Sequence, residues 1–369
     1  MTKAWYQVDN VDEISSPTLL VYPDRIRENL RRMIALVGDV SRLRPHVKTH
    51  KMAQIVQMKL EHGITKFKAS TIAEVEMTAT AGGRDILMAY QPVGPNVARF
   101  VQLVKAFPGA KLSALVDNVG SVQTIGEAAC SSQVVVPLYI DLNVGMNRTG
   151  IAPGPAAMDV YREICKTEGV SPAGFHAYDG HLHEPDLELL TEQTRTAFEP
   201  VWSMKEKLEN EGCPVRNVVA GGTPTSRILA RHAGVEVGAG TTVLWDFGQP
   251  DLSPDLDFQN AILLLARVIS KPSLDRLCLD VGHKAIASEM PQPRAHWFGL
   301  EDAKIVGHSE EHMVLQTERA DDFQVGSVLY GIPRHVCPTV ALHSEVWVVE
   351  NSSAKERWPV VARARTLTI

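Results

Sequence analysis

Several features are scarce in this sequence, and each absence narrows what the protein can be. Only five cysteines occur in 369 residues, none in a Cys-x-x-Cys pair, which argues against a disulfide framework and for a reducing compartment such as the cytoplasm. No apolar run reaches the ~18 residues that a membrane-spanning helix needs, and no signal-peptide pattern is present. Because no basic block offsets the formal net charge of −6, neither nucleic acid nor a membrane surface is an expected partner.

The composition is that of an ordinary folded protein. Hydrophobic residues make up 44% of the chain and charged residues 22%, which excludes disordered and fibrous classes. The length of 369 residues exceeds the ~100–200 residues of a typical domain. We therefore expect either one large barrel or two domains.

From residue 18 to about 242, short β-branched runs alternate with longer amphipathic ones. The first helical pattern, Asp24–Val37, has apolar residues at three-to-four spacing on one face, and seven further helical patterns follow. Repeated βαβ units favour a parallel sheet, and eight of them close into a (β/α)₈ barrel of the TIM type, with a doubly wound open sheet as the alternative. The eight predicted strands are Arg42–Val47, Lys66–Ala69, Asp85–Ala89, Lys111–Val116, Val134–Leu142, Ala173–Tyr178, Val218–Gly221 and Val235–Val237.

Beyond residue 243 the helical period vanishes and strand-like runs replace it. We therefore predict a barrel over residues 23–242 and a β domain formed by residues 1–22 and 243–369. The predicted β-domain strands are Ala261–Ile269, Arg276–Val281, Ala303–Gly307, Met313–Gln316, Val325–Leu329, Ser344–Val349 and Val360–Ala364.

A lysine directly follows the first predicted barrel strand, where barrel enzymes carry their active sites. Lys48 lies in a run with Arg44, His46, His50 and Lys51. An amine among cations loses its proton more easily and can form a Schiff base. Taken alone, the pattern also fits an exposed lysine in a basic loop.

Glycine-rich segments follow the last two barrel strands. Gly221, Gly222 and Thr223 open a helix, and Gly238-Ala-Gly240-Thr241 follows the eighth strand. Such segments offer backbone N–H groups to a phosphate, and these two loops are the usual phosphate site of a barrel. Each of these two glycine-rich segments could also be a tight turn without a ligand.

Polar residues follow two other strands. Arg148 lies in Asn143-Val-Gly-Met-Asn-Arg-Thr-Gly, and three histidines lie close to Tyr178, namely His176, His181 and His183. One or two of these histidines should face the site, as acid/base groups or as metal ligands.

His335 and Cys337 form a second candidate pair in the predicted β domain. At positions i and i+2 of an extended backbone, both side chains would point the same way. Imidazole with thiolate suits zinc first and manganese less well. The alternative is a buried cysteine beside a surface histidine.

Together these residues resemble the D-threonine aldolase and D-serine dehydratase family, fold-type III pyridoxal-phosphate (PLP) enzymes that also include alanine racemase. The run from Arg44 to Thr49 matches the family's lysine motif and implies Lys48 as the Schiff-base residue. Gly221–Thr225 and Gly238–Thr241 resemble its phosphate loops. Asp280–Ala285 and Ser309–His312 resemble its β-domain signatures.

The resemblance also implies roles for other residues. Arg148 would lie near the pyridine ring, and Tyr178 and His181 would line the cofactor pocket as catalytic candidates. His335 with Cys337 would hold a divalent metal, either manganese, zinc or magnesium. The family further implies a homodimer.

The implied activity is that of a lyase acting on β-hydroxy-D-amino acids, such as cleavage of D-threonine to glycine and acetaldehyde. The metal would bind the substrate hydroxyl, and His181 or a water on the metal would take its proton. A dehydratase of D-serine or D-threo-3-hydroxyaspartate is the alternative, and the resemblance associates Cys337 with that reaction. A racemase using Tyr330 as second base and a non-catalytic PLP-binding protein are further alternatives.

Overall fold

The computed structural model describes residues 3–369, and this part of the chain divides into two units. The barrel unit contains Arg31–Lys48, Ala53–Gly240 and Ala364–Ile369. The β unit contains the described residues up to Leu30, Thr49–Met52 and Thr241–Arg363. Compared with the predicted boundaries, the first part of the first helix and residues 49–52 belong to the β unit, whereas the last six residues belong to the barrel unit.

The chain begins with strand β1 (Thr18–Val21) and helix α1 (Pro23–Val37). Within the β unit, the buried Asn29 side chain of α1 donates hydrogen bonds to the carbonyl oxygens of Val243 at 3.3 Å and Gln259 at 2.7 Å. These bonds satisfy a buried amide, and they explain why the first turns of α1 group with residues beyond 243.

The barrel unit then alternates helices with parallel strands. Its helices are α2 (Ala53–Glu61), α3 (Ile72–Thr80), α4 (Pro95–Ala106), α5 (Val119–Ser131), α6 (Pro155–Lys166), α7 (Leu187–Asn210) and α8 (Ser226–Leu229). Its strands are β2 (Lys66–Ala69), β3 (Asp85–Met88), β4 (Lys111–Val116), β5 (Val136–Leu142), β6 (Val170–Ala177), β7 (Asn217–Ala220) and β8 (Val235–Val237). The strands pair in sequence order, and every pair is parallel.

The eighth position of the barrel is filled by an irregular segment, so the predicted strand Arg42–Val47 is wrong as secondary structure. Leu43 forms a parallel bridge with Val237 of β8, and His46 forms one with Lys68 of β2. Pro45 lies between these two bridges and has no N–H to donate, which interrupts a regular strand ladder. The segment still connects β8 to β2, and the predicted α/β barrel fold is confirmed.

Two kinds of packing hold the barrel interior. Apolar side chains from successive strands form a buried cluster made of Leu87, Leu115, Tyr139, Ala173 and Val219. A polar cluster surrounds Arg44, which is fully buried and donates to Glu236 at 2.6 Å and to Asp85 at 2.8 Å. The two carboxylates compensate the buried guanidinium, so the Arg44 side chain has a structural role.

The β unit is built on one mixed sheet. Its strands after β1 are β9 (Ile262–Ser273), β10 (Arg276–Leu279), β11 (Ala295–Trp297), β12 (Lys304–His308), β13 (Met313–Gln316), β14 (Val328–Pro333), β15 (Glu345–Glu350) and β16 (Ser353–Pro359). The sheet order is β12-β13-β10-β9-β1-β15-β16, and β14 pairs with both β9 and β11. β1 runs antiparallel to β9 and parallel to β15.

Two short helices also belong to the β unit, α9 (Gln249–Leu252) and α10 (Val336–Leu342). Neither was predicted, because helices this short have little amphipathic period and depend on tertiary contacts. The predicted strand Val360–Ala364 is a 3₁₀ turn, Val361–Ala364, and the last strand precedes it as β16. Among residues 3–369, no helix is both long enough and apolar enough to cross a membrane.

Candidate active site

A cavity of about 890 Å³ lies within the barrel unit. Most of its wall comes from the carboxyl ends of strands β2 to β6 and the loops that follow them, which is where barrel active sites form. Its ionisable and aromatic lining includes Lys48, Lys68, Asp117, Asp141, Arg148, His176 and Tyr178. Three residues predicted from the sequence, Lys48, Arg148 and Tyr178, therefore lie together here.

The ring of Tyr178 is the centre of a cationic group. The Nζ atoms of Lys48 and Lys68 each lie 5.7 Å from the ring centroid, and the guanidinium carbon of Arg148 lies 5.0 Å from it. These distances fall within the range of cation–π attraction. Three basic side chains around one aromatic ring form a site suited to an anionic, planar ligand.

A histidine and a carboxylate line the same cavity. His176 Nδ1 donates to Asp141 Oδ1 at 2.7 Å, and Thr149 Oγ1 donates to Asp141 Oδ2 at 2.9 Å. Burial lowers the pKa of His176, so its ring is neutral near pH 7. His176 Nε2 is buried and has no hydrogen-bond partner among residues 3–369, which leaves this nitrogen able to accept a proton.

Lys68, like Asp141, is a cavity residue that the sequence analysis did not identify. Its side chain is only 2% exposed, and burial, with a smaller effect of Lys48, lowers its pKa to about 7. Lys68 lies inside strand β2, one residue before its end, whereas the search from sequence considered loop residues after each strand. Its position as a lysine near the carboxyl end of a barrel strand was the available signal.

The lowered pKa predicts a pH-dependent stability for the cofactor-free protein. Between pH 7 and 10.5 the unfolded chain binds more protons at Lys68 than the folded chain does. The free energy of unfolding should therefore rise between pH 7 and pH 9, by about 2 kcal/mol from this residue. Lys68→Met should lack this rise and should exceed the wild type in stability at pH 7.

Urea unfolding at pH 7, 8 and 9 measures this effect. Lys68→Arg is the matched control, because arginine stays charged over the whole range and should remove the Lys68 contribution to the pH dependence while lowering stability at every pH. A constant difference between the wild type and Lys68→Met at the three pH values would contradict the lowered pKa.

In each of the two predicted phosphate loops, Gly221–Thr225 and Gly238–Thr241, one backbone N–H already donates a hydrogen bond within the protein. The N–H of Gly222 donates to Asp179 Oδ1 at 2.7 Å, and the N–H of Gly238 donates to the carbonyl oxygen of Ala220 at 2.9 Å. A Cβ on Gly238 would lie 2.4 Å from Lys68 Nζ, so glycine here admits the buried amine. Gly222, Thr223, Gly238 and Gly240 do not line the cavity wall itself.

Thr241, the last residue of the predicted loop, begins a 3₁₀ turn, Thr241–Val243, and belongs to the β unit. Its hydroxyl lies 4.0 Å from Cys337 Sγ.

The other two histidines of the cluster do not line the cavity. His181 packs against Gly145, where a Cβ would lie 2.6 Å from His181 Nε2, and His183 is exposed. Gly145 also has a φ of +120°, a conformation that favours glycine. Of the three histidines, His176 is therefore the one that faces the cavity.

These features fit the cofactor that the resemblance implies. An aldehyde needs an amine, which Lys48 provides. A phosphate and a pyridine ring need positive charge and an aromatic or apolar contact, and Lys68, Arg148 and Tyr178 provide these.

The predicted metal pair lies in the β unit at the start of α10. His335 is the N-cap residue and Cys337 lies in the first turn of the helix, so the expectation of an extended backbone is wrong. His335 Nδ1 donates to Glu289 Oε1 at 2.5 Å, and Cys337 Sγ donates to Thr49 Oγ1 at 3.3 Å. A carboxylate on the far nitrogen of a histidine is the usual support of a metal ligand, so the pair fits a metal.

The pair is small for a complete metal site. Within the described chain, no group of three or more His, Cys, Asp or Glu side chains is arranged to hold a metal ion. Any metal on His335 and Cys337 therefore needs ligands from water or substrate, as catalytic sites with open positions do.

The two signature segments of the β unit and Tyr330 have structural contacts. The two signature segments contact each other, since His283 N donates to the Ser309 carbonyl oxygen at 2.9 Å and a Cβ on Gly282 would overlap the backbone of Glu310. Tyr330 is buried in an apolar cluster, and its hydroxyl accepts from Val8 N at 3.2 Å. That hydrogen bond leaves Tyr330 poorly suited to act as the second base of a racemase.

Comparison with known sequences gives the family. The model of the alanine racemase N-terminal domain matches residues 21–243, more than half of the chain, and a model of the serine dehydratase domain matches residues 261–349. The chain belongs to the alanine racemase N-terminal domain family. The resemblance to the D-threonine aldolase and D-serine dehydratase group of this family is confirmed by the relatives described next.

Curated relatives that match nearly the whole chain include an aldolase and a dehydratase. D-threonine aldolase of Arthrobacter sp is 28% identical over 96% of this chain and 94% of its own length. D-threo-3-hydroxyaspartate dehydratase of Delftia sp. (strain HT23) is 25% identical over 95% of this chain and 98% of its own length. Because both relatives are lyases of D-amino acids, the prediction of a lyase family is confirmed.

Solved structures agree on the fold. The crystal structure of D-threonine aldolase from Filomicrobium marinum superimposes with a TM-score of 0.89 at 24% identity, covering 96% of this chain and 97% of that chain. At this identity the similarity establishes the architecture of the alanine racemase N-terminal domain family, a parallel α/β barrel with a β domain, and no more than that.

Proposed function

We propose that this protein is a PLP- and divalent-metal-dependent lyase that cleaves β-hydroxy-D-amino acids, with D-threonine giving glycine and acetaldehyde. The observation that carries the proposal is the cavity in which the Lys48 amine, the Arg148 guanidinium and the Tyr178 ring meet the unpartnered Nε2 of His176. The Lys48 amine can hold an aldehyde cofactor, and His176 Nε2 can accept a proton.

Three basic residues have different roles in binding the cofactor. Lys48 Nζ attaches the cofactor, and Arg148 with Lys68 balances its negative charge around Tyr178. Bound PLP supplies an electron sink for cleavage of a bond at the substrate α-carbon. Thr223 and Gly240 are further candidates for phosphate contacts.

His176 replaces His181 as the proposed base. Its Nε2 accepts the proton of the substrate β-hydroxyl, and Asp141 stabilises the charged ring through the 2.7 Å hydrogen bond to Nδ1. The lowered pKa of His176 keeps the ring neutral and ready to accept this proton. His181 packs against Gly145 and is proposed to support the loop.

His335 and Cys337 are proposed to hold the divalent metal, with Glu289 orienting the imidazole. Such a metal lowers the pKa of a hydroxyl bound to it. Thiolate with imidazole favours zinc, and manganese or magnesium follow in preference by ligand softness.

Product analysis tests the proposed reaction. Purified protein with PLP and a divalent metal should convert D-threonine to equimolar glycine and acetaldehyde, measured by amino-acid analysis and by alcohol dehydrogenase coupling. L-threonine is the control and should not react. Formation of 2-oxobutyrate and ammonia from D-threonine, or of pyruvate from D-serine, would exclude the aldolase and support a dehydratase.

The dehydratase is the second candidate because the cavity holds two amines. With Lys48 occupied by the cofactor, the neutral amine of Lys68 could accept a proton from the substrate α-carbon, since burial lowers its pKa to about 7. A divalent metal held by His335 and Cys337 would supply Lewis acidity for the loss of hydroxide from the β-carbon.

A further inference from the structure

Two cysteines meet in the helical layer of the barrel unit, away from the cavity. Cys165 lies in the last turn of α6, and Cys213 follows the end of α7 by three residues. Both are partly exposed free thiols, and neither belongs to the cavity wall. Because they are far apart in the sequence, only the fold brings them together.

Two contacts on either side of Cys213 hold its segment against α6. The Nε and Nη2 atoms of Arg162 each donate to the Glu211 carboxylate at 2.9 Å, two residues before Cys213. The Tyr161 hydroxyl donates to the carbonyl oxygen of Pro214 at 2.8 Å, directly after Cys213. The position of Cys213 beside this face of α6 is therefore fixed from both sides.

Cys165 lies on the same face of α6. It follows Arg162 by three residues and Tyr161 by four, which is the spacing of neighbouring side chains on a helix. A side-chain hydrogen bond joins the thiols of Cys165 and Cys213. Two thiols in such contact need no large backbone movement to form a disulfide.

We infer that Cys165 and Cys213 form a reversible redox site, in which a hydroperoxide oxidises the dithiol to a disulfide. The two thiols together lose two hydrogens and two electrons, and hydrogen peroxide takes them up to give two molecules of water. The resting state is the dithiol. This site is independent of the proposed lyase function.

The two cysteines have different roles in the oxidation. Burial raises the pKa of Cys165 to about 12, and the neighbouring Cys213 adds to this effect, so Cys165 stays a thiol near pH 7. Since the thiolate is the nucleophile, Cys213 reacts first. Its sulfur attacks one peroxide oxygen, the O–O bond breaks, and the hydroxide that leaves takes up a proton to form the first water.

The second step closes the disulfide. The Cys165 sulfur attacks the sulfur of the sulfenic acid on Cys213, so that the S–O bond breaks and the S–S bond forms. The hydroxide that leaves takes the Cys165 thiol proton and becomes the second water.

Thiol titration of the whole chain tests the inference. After mild treatment with hydrogen peroxide and quenching with catalase, the denatured protein should lose two of its five thiols, and dithiothreitol should restore both. Peptide mapping without reduction should find Cys165 joined to Cys213. An unchanged thiol count, a loss that dithiothreitol does not reverse, or a cross-link between other cysteines would overturn the inference.

Cys130→Ser is the matched control, because Cys130 is an exposed cysteine of the same unit, on α5. This variant should still lose two thiols. Cys165→Ser should form no disulfide and should keep a sulfenic acid on Cys213, which dimedone labels. A disulfide in Cys165→Ser would overturn the pair, and a dimedone label on Cys165 in Cys213→Ser would overturn the order of attack.

Urea unfolding gives a second readout. The disulfide closes the segment between residues 165 and 213, which contains β6 and α7, and closing a loop lowers the entropy of the unfolded chain. The oxidised wild type should therefore unfold at a higher urea concentration than the reduced protein, and Cys165→Ser should show no such shift. An equal or lower midpoint after oxidation of the wild type would contradict a disulfide that fits the folded barrel.

Discussion

Replacing Lys48 with alanine should abolish lyase turnover, with a loss of about 10⁴-fold or more, as expected for removal of a covalent catalytic group. The variant should also lose the visible absorbance of the lysine-bound cofactor. The physical reason is that, in the proposed function, Lys48 supplies the amine that attaches PLP. Initial rates with D-threonine and an absorbance spectrum of the PLP-loaded protein measure both effects.

Lys51→Ala is the control for this experiment. Lys51 lies in the same basic run and is not part of the cavity wall, so its replacement should leave the spectrum unchanged. If Lys48→Ala keeps the visible absorbance, the attachment point is another amine. Lys68 is then the residue to replace, because its Nζ lies at the same 5.7 Å from the Tyr178 centroid.

Replacing His335 or Cys337 with alanine should remove the divalent metal and lower lyase activity by about 10²-fold or more, since polarisation of an oxygen by a metal contributes several kcal/mol to the barrier. Inductively coupled plasma mass spectrometry gives the metal content, and added metal should restore neither variant. Chelation of the wild type should reproduce the loss, and metal should reverse it.

Two further variants sharpen this prediction. Glu289→Gln keeps both ligands and weakens only the support of His335, so about a 10-fold loss of metal affinity is expected. Cys278→Ser replaces another cysteine of the β unit, on strand β10, and should retain metal and activity. Unchanged metal content in both alanine variants would remove the metal role from His335 and Cys337.

The periodic elements of the barrel could be predicted from the sequence because they depend on local spacing. The helix of residues 23–37 buries the apolar face of a repeating pattern at Ile26, Leu30, Met33 and Val37, so local spacing specifies it. The segment around Pro45 is irregular, although its sequence predicted a strand. Its place between β8 and β2 is set by two long-range bridges and by a proline that cannot donate to a ladder.

Some residues of the candidate site could also be predicted from the sequence, and others could not. Lys48 stood out because it ends a predicted strand in a basic run, and the structure brings it to the same cavity as Arg148 and Tyr178. Lys68 offered only its position near the carboxyl end of a barrel strand, because a lysine inside a strand looks like a solvent-exposed one until the side chains packed around it are known.

The sequence by itself determined the family and the barrel, and it singled out Lys48 as the candidate Schiff-base residue. Only the tertiary structure decided which histidine faces the cavity, since the hydrogen bond between His176 and Asp141 joins residues 35 positions apart. It also decided that the last six residues lie in the barrel unit, where the N–H of Thr368 donates to Glu76 Oε1 across 292 positions of the sequence. Hydrogen bonds over such separations leave no periodic trace in the sequence, so folding alone selects these partners.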